Sequence, residues 1–435
     1  MSRTPQINIG LFGFGTVGSH LYRLLDQNRE IITRKLGFPI HIKKIGVTDL
    51  KKKYPFSPPV SLLTTKPSDI LDDPEISIIV ELIGDKPVAL ELIKKAISLG
   101  KHVVTANKAI LAKHGEELYR LAESCEVDIH FEGAVAGAIP VLRSIREAFV
   151  ADTILSIKGI INGTSNYILS GMTEKKSSFQ EALRGAQEAG YAEADPSADV
   201  DGHDAAHKLA ILASLAHGQI VPLEKIHCEG IRDITSLDFE MADRFGYTIK
   251  LLGIAKKTTE ALEVRVHPTM IPKEHVLSSV RGAYNAVMLE GEALGQSLLY
   301  GAGAGGFPTA SAVLADVVEI ARNIALQVPG VPPLGMRMDH VTKASVKSME
   351  DVESEYYLRF QAHDRPGVFG KIAQILGAHQ MSIASVYQHG REEGKDVPIV
   401  VLIHRAREKN VMNALREIDK LSIVSQKTHL IRIES

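Results

Sequence analysis

Gly13-Phe14-Gly15-Thr16-Val17-Gly18 stands directly after the apolar run Ile7–Phe12 and directly before a helix-periodic run, Val17–Leu25. A buried strand entering a glycine turn that opens into a helix leaves few folds open. The first glycine permits the tight turn, the second lets the backbone approach a pyrophosphate, and the third lets helix and strand pack closely. The free N–H groups of the helix start favour a phosphate there. A hexapeptide of this kind can also be a plain turn that binds nothing. Its strand–turn–helix setting points instead to a dinucleotide held by Gly13, Phe14, Gly15, Thr16, Val17 and Gly18.

The segments that follow keep the same alternation. Strands are expected at Ile40–Val47, Ile76–Leu82, His102–Thr105 and Val127–Phe131, with helices such as Val88–Leu99 between them. Such alternation gives a parallel sheet covered by helices on both faces. An acid at the end of the second strand would hold a ribose hydroxyl and indicate NAD. Asp49 lies near that place, but Lys51, Lys52 and Lys53 follow it and could hold a 2′-phosphate, which favours NADP over NAD; a solvated charge run is the bland alternative. After Pro140 the rhythm changes to longer helices and extended stretches, Ser156–Ile161 and Leu262–Pro268 among them, and Thr309–Leu326 is strongly helical. "VPGVPPLG", residues 328 to 335, reads as a linker. The last part reads strand (Tyr356–His363), helix (Val368–Ala378), strand (Ser382–Gln388), strand (Val397–Ile403), helix (Lys409–Leu421), strand (Lys427–Ile433), a ferredoxin-like order.

At 435 residues the chain exceeds one core. A net charge of −2 gives no footprint for nucleic acid or a membrane surface. Two distant cysteines, Cys125 and Cys228, form no disulfide framework and suit a reducing cytoplasm. The opening residues lack a signal-peptide layout, and no apolar run is long enough to span a bilayer. A cytoplasmic protein is expected.

The densest chemistry lies in "AEADPSADVDGHDAAHKLA", residues 192 to 210, where Glu193, Asp195, Asp199, Asp201 and Asp204 precede Lys208. A helix is expected from near Gly202 to near Gly218, capped by Asp199 or Asp201. Asp204 and Lys208 are one turn apart on it, and the bland reading is a surface ion pair. The sharper reading notes Leu209, Leu212 and Leu215 around Lys208. Burial eases loss of a lysine proton and carboxylates oppose it, so a lysine between the two can exchange a proton with a substrate hydroxyl. His203 and His207 imitate H-E-x-x-H, which would be a zinc hydrolase, but aspartate replaces the glutamate and no third ligand stands out.

Residues Ala186 to Lys208 resemble the homoserine dehydrogenase signature without a gap. "VVTANKAILA" (103–112), "FEGAVAGAIP" (131–140), "GIINGTSNYIL" (159–169) and "GAGAGGFPTASAV" (301–313) resemble the family in the expected order, so the likeness covers nearly the whole chain. It implies reversible oxidation of L-homoserine to L-aspartate 4-semialdehyde with NAD or NADP, in threonine, methionine and isoleucine biosynthesis. Lys208 would transfer the proton. Glu193 and Asp204 would hold homoserine, with Tyr191 and Asp199 nearby. Lys108 would act beside the cofactor, Thr105 and Gly305 would border it, and a structural sodium ion would sit on main-chain oxygens of Glu132, Val135, Gly137 and Ile139. From the residues alone, Glu132 reads as a buried, hydrogen-bonded carboxylate. Two positions depart from the family: Thr48 and Ala302 stand where arginine is common.

The C-terminal unit resembles an ACT domain, with Asp364-Arg365-Pro366-Gly367-Val368 between its first strand and helix, and implies feedback by threonine; a dimerisation module that binds nothing is the alternative. The α/β architecture expected is a Rossmann-type parallel sheet domain over about 1–135 with a return near 310–340, an α+β substrate and dimerisation domain over about 136–309, and a ferredoxin-like ACT domain over about 350–435. A homodimer or homotetramer is implied. A dinucleotide-sensing protein without turnover is the rival; it would not need Lys208. A semialdehyde dehydrogenase would need a cysteine nucleophile, and neither cysteine has the setting for one.

Overall fold

In the computed structural model Ile7–Phe12 lies third in a sheet of six strands, with every one of its residues buried. The order is Leu63–Thr64, Ile40–Gly46, Ile7–Phe12, Ile76–Glu81, His102–Thr105, Ile129–His130, and all neighbours are parallel. A parallel sheet is covered on both faces, so its strands read as continuous apolar runs. The order reverses between Ile7–Phe12 and Ile76–Glu81, and the crevice at their carboxyl ends is where such sheets hold ligands. The structure describes residues 6–388 and 395–434.

The chain divides into two units. The first runs to Ile157 and adds Ala206–Lys225 and Tyr284–Ala344. In its core Leu21 and Leu25, from the helix Thr16–Gln27, pack with Val313, Val317 and Ile320 of the helix Gly306–Leu326. A late segment thereby completes the first sheet domain. Tyr284–Gly291 and Gly295–Ala302 form an antiparallel hairpin in the same unit.

The second unit comprises Lys158–Ala205, Ile226–Ala283 and the chain from Ser345 onward. Its C-terminal part has strands Glu353–His363, Ile383–Gln388, Asp396–Arg407 and Val424–Ile433, and helices Val368–Ala378 and Glu408–Ile418. The strand order 4-1-3-2, antiparallel throughout, is the ferredoxin-like arrangement. Tyr356, Leu358 and Phe360 enter its core at strand spacing, and Val411, Leu415 and Ile418 at helix spacing. This sheet does not stop at its own edge: Thr269 and Met270 of Leu262–Pro272 pair in parallel with Arg432 and Ile433.

One strand is shorter than its sequence suggests, and the acidic helix takes the buried alternative. The strand expected at Val127–Phe131 is only Ile129–His130, because Phe131 leads into the 3-10 turn Glu132–Ala134. The acidic helix spans His203–His217 between left-handed Gly202 and Gly218, and Arg232 holds the Asp201 carboxylate before it. Asp204 and Lys208 are no surface pair, being 7% and 8% exposed. No helix among the described residues is long and apolar enough to cross a membrane.

Candidate active site

Gly13, Gly15 and Gly18 divide their work as steric constraint requires. Gly13 has φ +92°, and a Cβ there would lie 2.5 Å from the Leu82 oxygen. A Cβ on Gly18 would lie 2.1 Å from the Gly13 oxygen, so helix and turn pack only because it is absent. A Cβ on Gly15 would meet nothing within 4 Å. Gly15 borders a cavity of about 520 Å³, together with Gly13, Phe14, Thr48, Lys52 and Tyr54. An open glycine at a helix start, in a cleft at the switch point, fits a pyrophosphate. Thr16 and Val17 open the helix, and Ser19 N–H returns to the Gly15 oxygen at 3.0 Å.

The carboxyl ends of the next strands are locked by one buried acid. Glu81 accepts from Thr105 Oγ1 at 2.7 Å and from Ile83 N–H at 2.6 Å. Burial pushes the Glu81 carboxyl up, against those hydrogen bonds. Thr105 in turn accepts from Asn107 N–H, and Asn107 caps the helix Lys108–Ser124 through Ile110 N–H. Lys108 is therefore the first residue of a fixed helix, half-buried at the sheet's carboxyl edge. Gly305, at φ +128°, stands at the N-terminal cap of Gly306–Leu326.

In the second unit one amide organises two acids. Asn162 Oδ1 caps the helix Gly163–Lys175 by accepting from Ser165 N–H at 2.8 Å. Its Nδ2 donates to Asp199 Oδ1 at 2.7 Å and to Asp204 Oδ2 at 2.8 Å. Two carboxylates are thus tied to one neutral donor. Tyr191 and Glu193 have other partners: Thr164 Oγ1 donates to the Tyr191 main-chain oxygen at 2.6 Å. The Tyr191 ring, 49% exposed, lies 4.8 Å from the ring of Tyr167. The Glu193 carboxylate is exposed, and Gln187 donates to its main-chain oxygen. The sequence reading missed Asn162, although "INGTS" carried the signal of an N-cap. Replacing Asn162 by Ala removes a cap and two charge-assisted bonds, and is expected to lower unfolding stability by about 2–4 kcal/mol. Urea unfolding measures this; an unchanged midpoint would show that both acids are held by other donors.

His203 is exposed and His207 half-buried on the same helix. Among the described residues the group that could share an ion is His130, Asp316 and Glu319, not these two histidines, so the zinc hydrolase reading has no third ligand. Arg143 already holds both Asp316 and Glu319.

Glu132 is the buried, hydrogen-bonded carboxylate that its apolar setting suggested. Its oxygens accept from Leu142 N–H at 2.9 Å and Arg143 N–H at 2.8 Å, and its own N–H donates to Asp316. Burial and the nearby Asp316 charge push its carboxyl up to about 7. Beyond it, Ala136 and Gly137 are both left-handed, at φ +54° and +56°, and Val135, Gly137 and Ile139 are buried. In the C-terminal turn Gly367 has φ +84° before the helix Val368–Ala378, and Asp364 Oδ2 is buried without a hydrogen-bond partner among the described residues.

Comparison with known proteins bears on all of these parts. Residues 13–132 match the homoserine dehydrogenase NAD-binding domain, 140–318 the homoserine dehydrogenase family, and 356–420 the ACT domain. The homoserine dehydrogenase of Neisseria gonorrhoeae is 42% identical over 430 residues, 99% of each chain. That of Pseudomonas aeruginosa is 44% identical over 98% of this chain and 99% of its own. Among solved structures, a homoserine dehydrogenase from Thiobacillus denitrificans superposes with TM-score 0.92 at 44% identity, covering 99% of both chains. A hyperthermophilic archaeal homoserine dehydrogenase in complex with NADPH covers 75% of this chain and 99% of its own, with TM-score 0.62 at 26% identity.

Proposed function

The chain belongs to the homoserine dehydrogenase family, and from that premise we propose how its residues divide the reversible oxidation of L-homoserine to L-aspartate 4-semialdehyde. Lys208 takes the hydroxyl proton during oxidation and returns it during reduction. Glu193 holds the substrate ammonium, with Tyr191 beside it, and Asp204 and Asp199 complete the polar wall. Lys108, fixed by the Asn107 cap, steadies the reacting oxygen. A bound nicotinamide dinucleotide supplies the hydride chemistry. The observation that carries this division is the Asn162 amide, which ties Asp199 and Asp204 together one helical turn before a buried Lys208.

NADP is the cofactor this reading favours. Thr48 and Lys52 line the cavity at Gly15, whereas Asp49 accepts from its own loop, at Lys51 N–H. The archaeal relative that binds NADPH supports the same preference. Replacing Lys52 by Ala is expected to raise KM for NADPH about fivefold to tenfold, the size of a ~1 kcal/mol surface charge contact, and to leave KM for NADH unchanged. Equal losses with both would mean that Lys52 does not read the 2′-phosphate.

A sodium ion on the main-chain oxygens of Glu132, Val135, Gly137 and Ile139 belongs to the same reading. The Glu132 and Ile139 main-chain oxygens each accept one N–H, from Val135 at 3.4 Å and Val141 at 2.8 Å, so each keeps a second lone pair for the ion, and oxygen donors suit a hard cation. Threonine is the effector proposed for the C-terminal domain, received at the Gly367 turn. The assembly proposed is a homodimer or homotetramer; the exposed, stacked rings of Tyr284 and Tyr300 on an edge hairpin support a partner copy. One steady-state series tests the reading: homoserine oxidation with NAD or NADP, in sodium or potassium salt, with and without threonine. Absence of turnover with both dinucleotides would overturn it.

A further inference from the structure

We propose that a cavity of about 370 Å³ in the second unit, floored by Lys250, is a binding site for a small organic anion whose charge is carried by carboxylate or phosphate. None of its residues belongs to the catalytic reading.

Lys250 lies on the strand Tyr247–Lys257 and is 4% exposed. Its ammonium donates to the Val280 carbonyl and, at 3.3 Å, to Asn166 Oδ1. Both partners are neutral, so among the described residues the buried charge meets no carboxylate. An ammonium without an opposite charge is costly to bury, and proteins retain one where something else supplies the charge. Burial, with the Arg281 charge, lowers its pKa to about 8, and Glu174 opposes the shift. Near neutral pH the group is therefore still mostly protonated.

The rest of the lining leaves this charge over. Lys273 lines the cavity and is paired with Asp243 at 2.6 Å; Arg281 lines it and is paired with Glu174 at 3.5 Å. Three cations thus face two anions, a surplus of one positive charge carried by the deepest group. Both acids stand toward solvent, with side chains 77% and 46% exposed, where their pull on Lys250 is weakened by water. Phe239 and Tyr247 give the cavity an apolar wall for a carbon skeleton. Concave, partly apolar, with convergent cations, it has the features of a small-ligand site.

The test is calorimetric titration of the full chain with sodium phosphate and, separately, sodium succinate, with saturating nicotinamide dinucleotide present to fill the glycine cradle. Wild type is expected to bind one of the two saturably. Lys250→Met, close in volume and without the charge, is expected to weaken that binding at least tenfold, and Arg281→Gln a few-fold. Succinate binding is expected to weaken from about pH 7 to about pH 9.5 as the ammonium deprotonates. The charged groups facing it are Glu174, Asp243, Lys273 and Arg281. Binding of phosphate alone identifies a phosphate ester, and of succinate alone a carboxylic acid. Binding of neither, or binding that Lys250→Met and Arg281→Gln both leave unchanged, overturns the proposal. Arg281 is 74% exposed at its side chain, so its variant decides the matter even if Lys250→Met fails to fold.

Discussion

Lys208→Ala should lower kcat for homoserine oxidation by ~10²–10⁴, the range that a positioned proton-transfer group contributes. Dinucleotide binding should be unaffected, because the cradle at Gly13, Gly15 and Gly18 is built from other elements. Lys208 is 8% exposed and is followed on its helix by buried Leu209, Leu212 and Leu215. A lysine there is costly to bury unless it is paired or used. Lys208→Arg separates charge from proton transfer. Arginine keeps the positive charge but does not deprotonate in the working range, so it should be nearly as slow as Ala. Steady-state absorbance of the reduced dinucleotide gives kcat and KM for all three forms. Full rescue by Arg would make Lys208 an electrostatic holder, and equal rates in wild type and Ala would remove it from the mechanism.

The parts of the fold that the sequence made visible are those whose physics is local. Ile7–Phe12 is legible because a strand buried on both faces must be apolar throughout. Val368–Ala378 is legible because its Pro366-Gly367 turn marks the start and its apolar spacing the face. The acidic helix is legible because Gly202 and Gly218, both left-handed, bracket it. Pairing between segments distant in sequence has no such local mark. Nothing in Leu262–Pro272 announces that Thr269 will meet Arg432 on a strand that closes the C-terminal domain.

The same division applies to the candidate site. A glycine motif has one steric solution, so Gly13, Gly15 and Gly18 could be given roles in advance. Asn162 could be read as a cap but not as the donor to Asp199 and Asp204, because its second function depends on where a loop nearly forty residues later returns. Glu81 was hidden within a strand's apolar run, and only its bonds to Thr105 and Ile83 show that it braces the strand ends. Lys250 was equally silent: a lysine amid strand residues reads as an edge or a solvated face until its burial is known.

Arg432→Met should destabilise the protein by about 3–5 kcal/mol, the usual consequence of removing one partner from a buried charge network. The guanidinium is 2% exposed and holds two acids at once. It donates to Glu229 at 2.8 and 3.0 Å and to Glu408 through Nε at 3.0 Å and through Nη2. Tyr356 OH adds a third donor to Glu408. Without Arg432, Glu408 is left almost fully buried with one neutral donor; Glu229, whose side chain is 39% exposed, suffers less because water reaches it. The pH dependence has a definite sign. Burial would raise the Glu229 carboxyl, but hydrogen bonds from His227 and Arg432 outweigh it and hold that carboxyl well below the usual range. A carboxyl depressed in the folded state stabilises above its unfolded pKa, about 4.3, and that stability is lost as pH falls. In Arg432→Met the acids lose their cation, so protonation should relieve rather than harm the folded state. The gap between wild type and variant should therefore be widest near neutrality and narrow toward about pH 4. Adding Glu408→Gln to Arg432→Met should recover part of the loss at neutral pH, since no buried anion then remains at that position. Urea unfolding across pH measures both effects, and a gap that stays constant from pH 7 to about pH 4 would mean that packing, not charge, makes Arg432 necessary.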